Sequence, residues 1–187
     1  WAGIDYHKTV VTRWVGPGQP MTYTEFQASH PVQPLVWSEV TRLAPVTDQT
    51  GPVLVVVESN LQTPLSLEIN RYLRDLADAG WEPILISWTG GTAVQLRTVL
   101  QQYQASDSIL GTALVGDLPQ PWYELYEDFD NNGLPDDPYM VQFPCDLFYM
   151  DLNGIWNDND LDGVWDVHTG NWQPDIFVGR LLASTLP

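Results

Sequence analysis

The chain has 187 residues, 44% of them hydrophobic, and a net charge of −17 from 24 acidic and 7 basic residues. This length allows one ordinary domain, or one domain with a small appendage. The charge repels nucleic acid and anionic membranes, so we expect neither as a partner. A single cysteine excludes an intrachain disulfide framework and a cysteine-rich zinc site.

Two further features concern the compartment of the protein. The sequence contains no run of about eighteen apolar residues, so it predicts no membrane span. The chain begins at Trp1 without Met or a signal peptide, which we interpret as a processed or trimmed piece of a longer protein.

Residues 1–52 are predicted to form a β-rich appendage followed by a linker. The stretches KTVVTRWV and MTYTEF are rich in β-branched or alternating residues, and the turn-forming GPGQP separates them. A Pro-rich passage from Pro31 to Pro52 then leads to a different pattern. We therefore expect a hairpin-like element and place a domain boundary at residue 52.

Residues 53–187 are predicted to form an α/β subdomain. Continuous apolar runs predict strands covered on both faces: Val53–Val57, Ile84–Trp88 and Ile109–Val115. A helix capped by Thr63 and ended by Gly80 separates the first two strands, and a helix capped by Thr92 separates the second and third.

This alternation predicts a parallel sheet with right-handed crossovers. The segment 175–181 is predicted to add a further strand. A ligand edge would lie at the carboxyl ends of the strands, near Glu58, Thr89 and Asp117, where the two carboxylates are equally well explained as loop caps.

An acidic segment interrupts the α/β pattern after the third strand. From Asp117 to Asp175 there are fourteen Asp or Glu residues and no Lys or Arg. Such crowded carboxylates repel each other, so a compact fold requires wide solvation or bound cations. Many aromatic residues are interleaved with the acids, which is unlike a disordered acidic tail.

Two loops in this segment, 128–137 and 158–166, have the spacing of calcium-binding loops. Each places oxygen side chains at positions one, three and five, Gly at six and Asp at nine, while the seventh residue offers its carbonyl. Neither has a Glu at position twelve, where Tyr139 and Thr169 stand. The predicted ligands are Asp128, Asp130, Asn132, Leu134 and Asp136 in the first loop, and Asp158, Asp160, Asp162, Val164 and Asp166 in the second.

The predicted metal is calcium, and the second loop should bind it more tightly because Asn132 replaces one carboxylate in the first. Weak loops of this kind fill where calcium is abundant. That condition favours a secreted or cell-surface protein.

An ordered series of sequence segments resembles the amino-terminal portion of the gingipain family of cysteine peptidases. The segments are LVGDLP at 114–119, CDLFYMDLNG at 145–154, NDNDLDG at 157–163 and PDIFVGRLLAST at 174–185. The resemblance implies a three-layer α/β fold of the caspase or flavodoxin type with a calcium-binding acidic insertion. It also implies a strand at Asp146–Leu152, an acidic loop at Asp158–Asp166, and a strand at Ile176–Arg180.

The resemblance further implies calcium-stabilised proteolysis outside the cell by a cysteine nucleophile and a histidine base. Both family positions lie downstream of the strand at 176–180, so we expect no catalytic residue in this chain. Cys145 has apolar neighbours that should raise its pKa, and a small buried residue is the expected role. His7, His30 and His168 are likewise expected to be structural.

Arg180, the one cation after Arg97 in the sequence, is expected to pair with a carboxylate. Two alternatives to the peptidase remain. One is a calcium-dependent structural or adhesive module without enzymatic activity. The weaker one is an Asp-based phosphotransfer enzyme that uses Asp117 and a metal.

Overall fold

A computed structural model of the protein describes residues 21–46, 50–126, 140–171 and 173–182. The chain divides into two compact units. The first unit combines Trp1–Pro31, Trp122–Pro144 and Trp156–His168, and the second combines Val32–Pro121, Cys145–Ile155 and Thr169–Pro187.

The described residues form helices and strands that alternate through much of the chain. In chain order they are α1 (Tyr23–Ser29), β1 (Val36–Arg42), β2 (Gly51–Glu58), α2 (Ser59–Gln62), α3 (Ser66–Asp78), β3 (Trp81–Thr89), α4 (Ala93–Asp107), β4 (Gly111–Val115), β5 (Trp122–Tyr126), β6 (Met140–Pro144), α5 (Leu147–Met150), β7 (Ile155–Asn157), β8 (Val167–Thr169) and β9 (Phe177–Leu181).

The second unit contains a five-stranded sheet in the order β1-β3-β2-β4-β9. Strands β3, β2, β4 and β9 run parallel, while β1 joins the edge at β3 antiparallel. The predicted parallel α/β sheet is therefore confirmed. Central strand β2 is buried on both faces, as its continuous run of β-branched residues predicted, and Leu54 and Val56 have no exposed surface.

The two long helices each bury one face, formed by Ile69, Leu73 and Ala77 on α3 and by Leu96, Val99, Leu100 and Tyr103 on α4. Thr92 caps helix α4, and its hydroxyl accepts from the Gln95 backbone N–H in a capping box. Gly80 has a φ of 91° directly after α3, which is the conformation expected of a glycine that ends a helix. The predicted cap at Thr63 is wrong. Residues 59–62 form the separate short helix α2, and α3 begins only at Ser66.

The segment MTYTEF was predicted as a strand, and this prediction is wrong. Thr22 caps helix α1, and Glu25 reaches back to the Thr22 backbone N–H at 2.9 Å. This capping box provides acceptors for two backbone N–H groups that have no partner within the helix. Its preference for a helix prevails over the strand preference of the alternating β-branched residues. The stretch KTVVTRWV lies outside the described residues.

Strand β1 corrects the prediction that residues 31–52 are wholly a linker. Val36–Arg42 pairs with β3 in the main sheet, although only Thr41 within it is partly buried. Proline flanks the strand without entering it, so the edge pairing is preserved.

The strand that the resemblance implied at Asp146–Leu152 is also wrong, since Leu147–Met150 forms helix α5. Phe148 and Tyr149 are adjacent, and both are buried within the second unit. A strand would point these neighbours to opposite faces, whereas a helical turn lets both reach the core. The implied strand at 176–180 is confirmed as β9.

The described part of the first unit consists of α1 and two small sheets. Strand β5 pairs antiparallel with β6, and β7 pairs with β8. The rings of Tyr23 and Phe26 on α1 contact the ring of Trp122 at centroid distances of 5.6 and 5.3 Å.

Candidate metal centre

The second acidic loop, 158–166, folds around its own first aspartate. The Asp158 carboxylate accepts backbone N–H groups from Leu161 at 2.7 Å and from Gly163 at 2.9 Å. Gly163 has a φ of 96°, in the left-handed region that favours glycine. The predicted tight turn at the sixth position is therefore present.

The other aspartates of the loop also accept backbone donors. Asp162 accepts from the Val164 N–H at 2.8 Å, and Asp166 accepts from the Asn159 N–H at 3.1 Å. These short-range bonds hold the carboxylates in place, but each oxygen keeps a second lone pair. Tyr23 from α1 donates its hydroxyl to the Gly163 carbonyl at 3.0 Å and fixes the turn from outside.

The end of the loop is joined to strand β5. The Trp165 N–H donates to the Trp122 carbonyl at 3.0 Å, and the Glu124 N–H donates to the Trp165 carbonyl at 2.8 Å. Tyr123 and Trp165 thus form a parallel bridge. This pairing brings the side chain of Glu124 to the loop, thirty-four residues away in sequence from Asp158.

The carboxylates form two overlapping groups. In one group, Glu124, Asp160 and Asp166 each place a carboxylate oxygen within 4.8 Å of the others. In the other, Asp158, Asp160 and Asp162 do so by the same measure. Asp160 belongs to both groups, so the two groups adjoin each other at this residue.

The first group is the more deeply buried. Glu124 is 5% exposed, and Oδ1 of Asp166 is buried without a hydrogen-bond partner among the described residues. Burial raises the pKa of Glu124, and the nearby charges of Asp162, Asp160 and Asp166 raise it further. Gln142 donates to Glu124 at 2.9 Å, which partly offsets this effect.

This arrangement can hold a hard divalent cation. A buried carboxylate oxygen without a donor is costly, and a cation supplies the missing partner. A cation would also cancel the repulsion that raises the pKa of Glu124. The chemistry of the donors, all oxygen, fits Ca²⁺ or Mg²⁺ and not the softer metals that favour sulfur or imidazole.

Of the predicted ligands in the second loop, Asp158, Asp160 and Asp162 lie in one group, and Asp166 lies with Asp160 and Glu124 in the other. Val164 is completely buried, and the role of its carbonyl as a ligand stays a prediction. The first predicted loop, at 128–137, lies outside the described residues, and so do its predicted ligands Asp128, Asp130, Asn132, Leu134 and Asp136.

Sequence reasoning missed Glu124. The loop lacks the Glu that usually closes such a site at position twelve, so a metal bound there would need a further carboxylate from elsewhere in the chain. A signal was present in the strand sequence WYELY, where Glu124 occupies the same face as the buried Trp122. A charged residue on the buried face of a strand is rarely buried without a partner of opposite charge, such as a cation.

The cysteine and the described histidines have local structural contacts. Burial raises the pKa of the Cys145 thiol, as predicted, and its backbone N–H donates to the Pro121 carbonyl at 2.9 Å. The His30 ring stacks on Phe26 at a centroid distance of 4.3 Å. The His168 ring lies 4.5 Å from that of Trp156, and His7 lies outside the described residues.

The strand ends of the main sheet are used to cap loops. Glu58 accepts the Asp117 backbone N–H at 2.9 Å and the Asn60 amide at 2.6 Å. An added Cβ on Gly116 would lie 2.7 Å from Glu58 atoms, which shows how closely this carboxylate packs on the turn. This geometry favours the capping interpretation of Glu58.

Arg180 pairs with a carboxylate, as predicted. Its guanidinium binds both oxygens of Asp146, at 2.9 and 2.7 Å, and donates to the carbonyls of Leu118 and Pro119. The Arg180 side chain is 9% exposed, so this is a nearly buried fork-shaped contact.

Comparison with known protein families, with curated proteins and with solved structures finds no match for this chain. None of the described helices is long and apolar enough to cross a membrane.

Proposed function

We propose that this chain is the amino-terminal, non-catalytic part of a secreted, calcium-stabilised cysteine endopeptidase of the gingipain type. The observation that carries the calcium part is the group formed by Glu124, Asp160 and Asp166 within 4.8 Å of one another. The peptidase part rests on the ordered sequence segments and on a parallel sheet compatible with a three-layer α/β fold.

Calcium is favoured over magnesium by the composition of the site. Carboxylates from the loop at 158–166 and from strand β5 can provide the six to eight oxygens at irregular angles that calcium accepts. Magnesium requires a near-octahedral shell and retains its waters, so a crowded cluster of carboxylates suits it less well.

The catalytic Cys and His are expected downstream of this chain, and the remainder of the peptidase domain is the expected partner. Strand β9 supports this proposal. Its side chains Phe177 and Leu181 are 46% and 62% exposed, and no described atom lies within 4 Å of a Cβ added to Gly179. Parallel sheets are usually covered on both faces, so this face suits a further packed element.

Direct titration of calcium into the protein tests the metal site. We expect saturable binding by isothermal calorimetry, and Glu124→Gln should weaken it at least about tenfold because a buried ligand loses its charge. Glu68→Gln, at an exposed position of α3 in the second unit, removes the same charge outside the unit that contains the loop and should leave binding unchanged. Equal affinity in all three proteins would show that the bound calcium is not held by Glu124.

The peptidase assignment has a separate test. The isolated chain should not hydrolyse a mixed peptide library, whereas the same chain extended by its natural downstream sequence should show thiol-dependent activity. Hydrolysis by the isolated chain that disappears with Cys145→Ala contradicts the assignment of Cys145 as structural.

The alternative is a calcium-dependent structural or adhesive module without enzymatic activity. The exposed face of β9 favours it equally, because an adhesive partner could cover the same side chains. A folded full-length protein that binds calcium and lacks thiol-dependent activity would support this alternative over the peptidase.

A further inference from the structure

An Asn-Gly pair lies in the segment 151–154, between α5 and β7. Asn153 is exposed and Gly154 is buried. In such a pair the glycine nitrogen can attack Cγ of the asparagine, because glycine has no Cβ to obstruct the approach. The new N–C bond closes a succinimide, and ammonia leaves with the proton of the glycine amide. Water then opens the ring to Asp or isoaspartate, so the residue is deamidated.

A buried carboxylate holds the attacking nitrogen of this pair. The Gly154 N–H donates to Oδ1 of Asp151 at 2.8 Å, and Asp151 has no exposed surface. Attack requires the Gly154 nitrogen to lose its proton. The carboxylate opposes that loss, because a second negative charge would form directly beside it. The closed segment therefore disfavours the reactive form of the nitrogen.

A second carboxylate holds the side chain that would be attacked. Asn153 donates its Nδ2 to Oδ1 of Asp175 at 2.6 Å and its backbone N–H to Oδ2 at 3.1 Å. The Leu152 N–H donates to the same Oδ2 at 2.8 Å. These bonds fix the Asn153 side chain beside its own N–H. The reaction needs Cγ to approach the nitrogen of the next residue instead.

Helix α4 fixes the backbone of the segment from its other side. Arg97 donates to the carbonyls of Asp151 and Gly154 at 2.8 and 2.9 Å, and Gln101 donates to the Leu152 carbonyl at 2.8 Å. Rotation of the backbone at Asn153 disturbs these bonds. Succinimide formation therefore requires a local opening that breaks several hydrogen bonds at once.

We propose that Asn153 is a deamidation site, which the closed fold suppresses and which local opening of residues 151–154 activates. The product carries a carboxylate where the amide nitrogen lay 2.6 Å from Asp175. Two carboxylates at that separation repel each other, so the deamidated segment does not return to its closed arrangement. The modification makes a transient opening permanent and distinguishes chains that have opened from those that have not.

The rate of conversion at Asn153 tests the first part of this proposal. The full chain is incubated at neutral pH with and without denaturing urea, and its chymotryptic peptides are followed by mass spectrometry. The sequence has a second Asn-Gly pair, Asn132–Gly133, which lies outside the described residues and serves as the reference in urea. There, both pairs should convert at similar rates. Without urea, Asn153 should convert at least about tenfold more slowly, since the rate follows the population of the open form.

Two variants remove bonds that hold the segment closed. Asp175→Ser removes the acceptor of three bonds and should raise the rate without urea at least about fivefold. Gln101→Ala removes a single bond from a half-buried side chain and should raise the rate about twofold to tenfold. Gln102→Ala, at the exposed neighbouring position, should leave it unchanged. Circular dichroism identifies the variants that are folded.

Asn153→Asp tests the effect of the product. It should lower the thermal midpoint more than Gln102→Glu, which adds the same charge at an exposed position of the same unit. An equal or smaller loss would overturn the proposed effect of deamidation on closure. The proposed suppression is overturned if Asn153 converts as fast without urea as with it, or if every folded variant that lacks one of the bonds converts at the wild-type rate.

Discussion

Glu124 combines a negative charge with a position that is 95% buried, since only 5% of it is exposed. Its pKa is raised from the ordinary value of 4.5, first by burial and then by the neighbouring aspartates. A carboxyl group with a raised pKa in the folded state binds its proton more tightly there than in the unfolded chain. Its contribution to stability is therefore fully present below about pH 4.5 and is lost as the pH rises through the raised folded pKa.

This sign leads to a prediction for the calcium-free protein. Between about pH 4 and about pH 7, the free energy of unfolding of the wild type should fall relative to that of Glu124→Gln, which cannot ionise at this position. Urea unfolding of both proteins in calcium-free buffer at the two pH values measures the difference. If the free energy of unfolding depends on pH in the same way in both proteins, ionisation of Glu124 does not destabilise the folded state.

At the scale of elements, Arg180 links strand β9 to the chain around α5. The guanidinium binds Asp146, directly before α5, and the carbonyls of Leu118 and Pro119, which follow β4. Because β4 and β9 are neighbouring parallel strands, this one side chain joins three segments of the second unit. The contribution of the Arg180–Asp146 ion pair to the free energy of unfolding depends on its burial, since exposed ion pairs contribute little.

Asp146→Asn should therefore destabilise the protein by about 3 kcal/mol, the lower end of the range for breaking a buried pair, because Asp146 itself is 30% exposed. The matched control is Asp75→Asn, which removes an exposed pair with Arg71 at 3.9 Å and should cost less than about 0.5 kcal/mol. Urea unfolding monitored by tryptophan fluorescence measures both. Equal losses would contradict the role assigned to Arg180.

The elements differ in how well the sequence predicted them. Strand β2 was predictable because an unbroken apolar run suits a strand buried on both faces. Helix α1 was not, because the alternating residues of MTYTEF favour a strand while the capping box of Thr22 and Glu25 favours a helix. The acidic loop was predictable from local spacing. Glu124 was not, because strand pairing, and no spacing rule, brings it beside the loop.

At the scale of the whole molecule, a net charge of −17 opposes the compact state. Any added salt screens this repulsion, so a rise in stability with calcium is not by itself evidence of a site. A specific site differs from screening in two ways. It saturates, and it discriminates between divalent cations of the same charge.

We therefore expect the thermal midpoint to rise more with calcium chloride than with magnesium chloride at equal concentration and ionic strength. If calcium binds only the folded chain, stabilisation reaches about 2.7 kcal/mol when free calcium is about a hundred times the dissociation constant. Asp160→Ala removes the carboxylate shared by both groups and should reduce the calcium response to that of magnesium. Screening alone predicts the same rise with both salts, in the variant as in the wild type, because it depends on ionic strength and not on the identity of the ion.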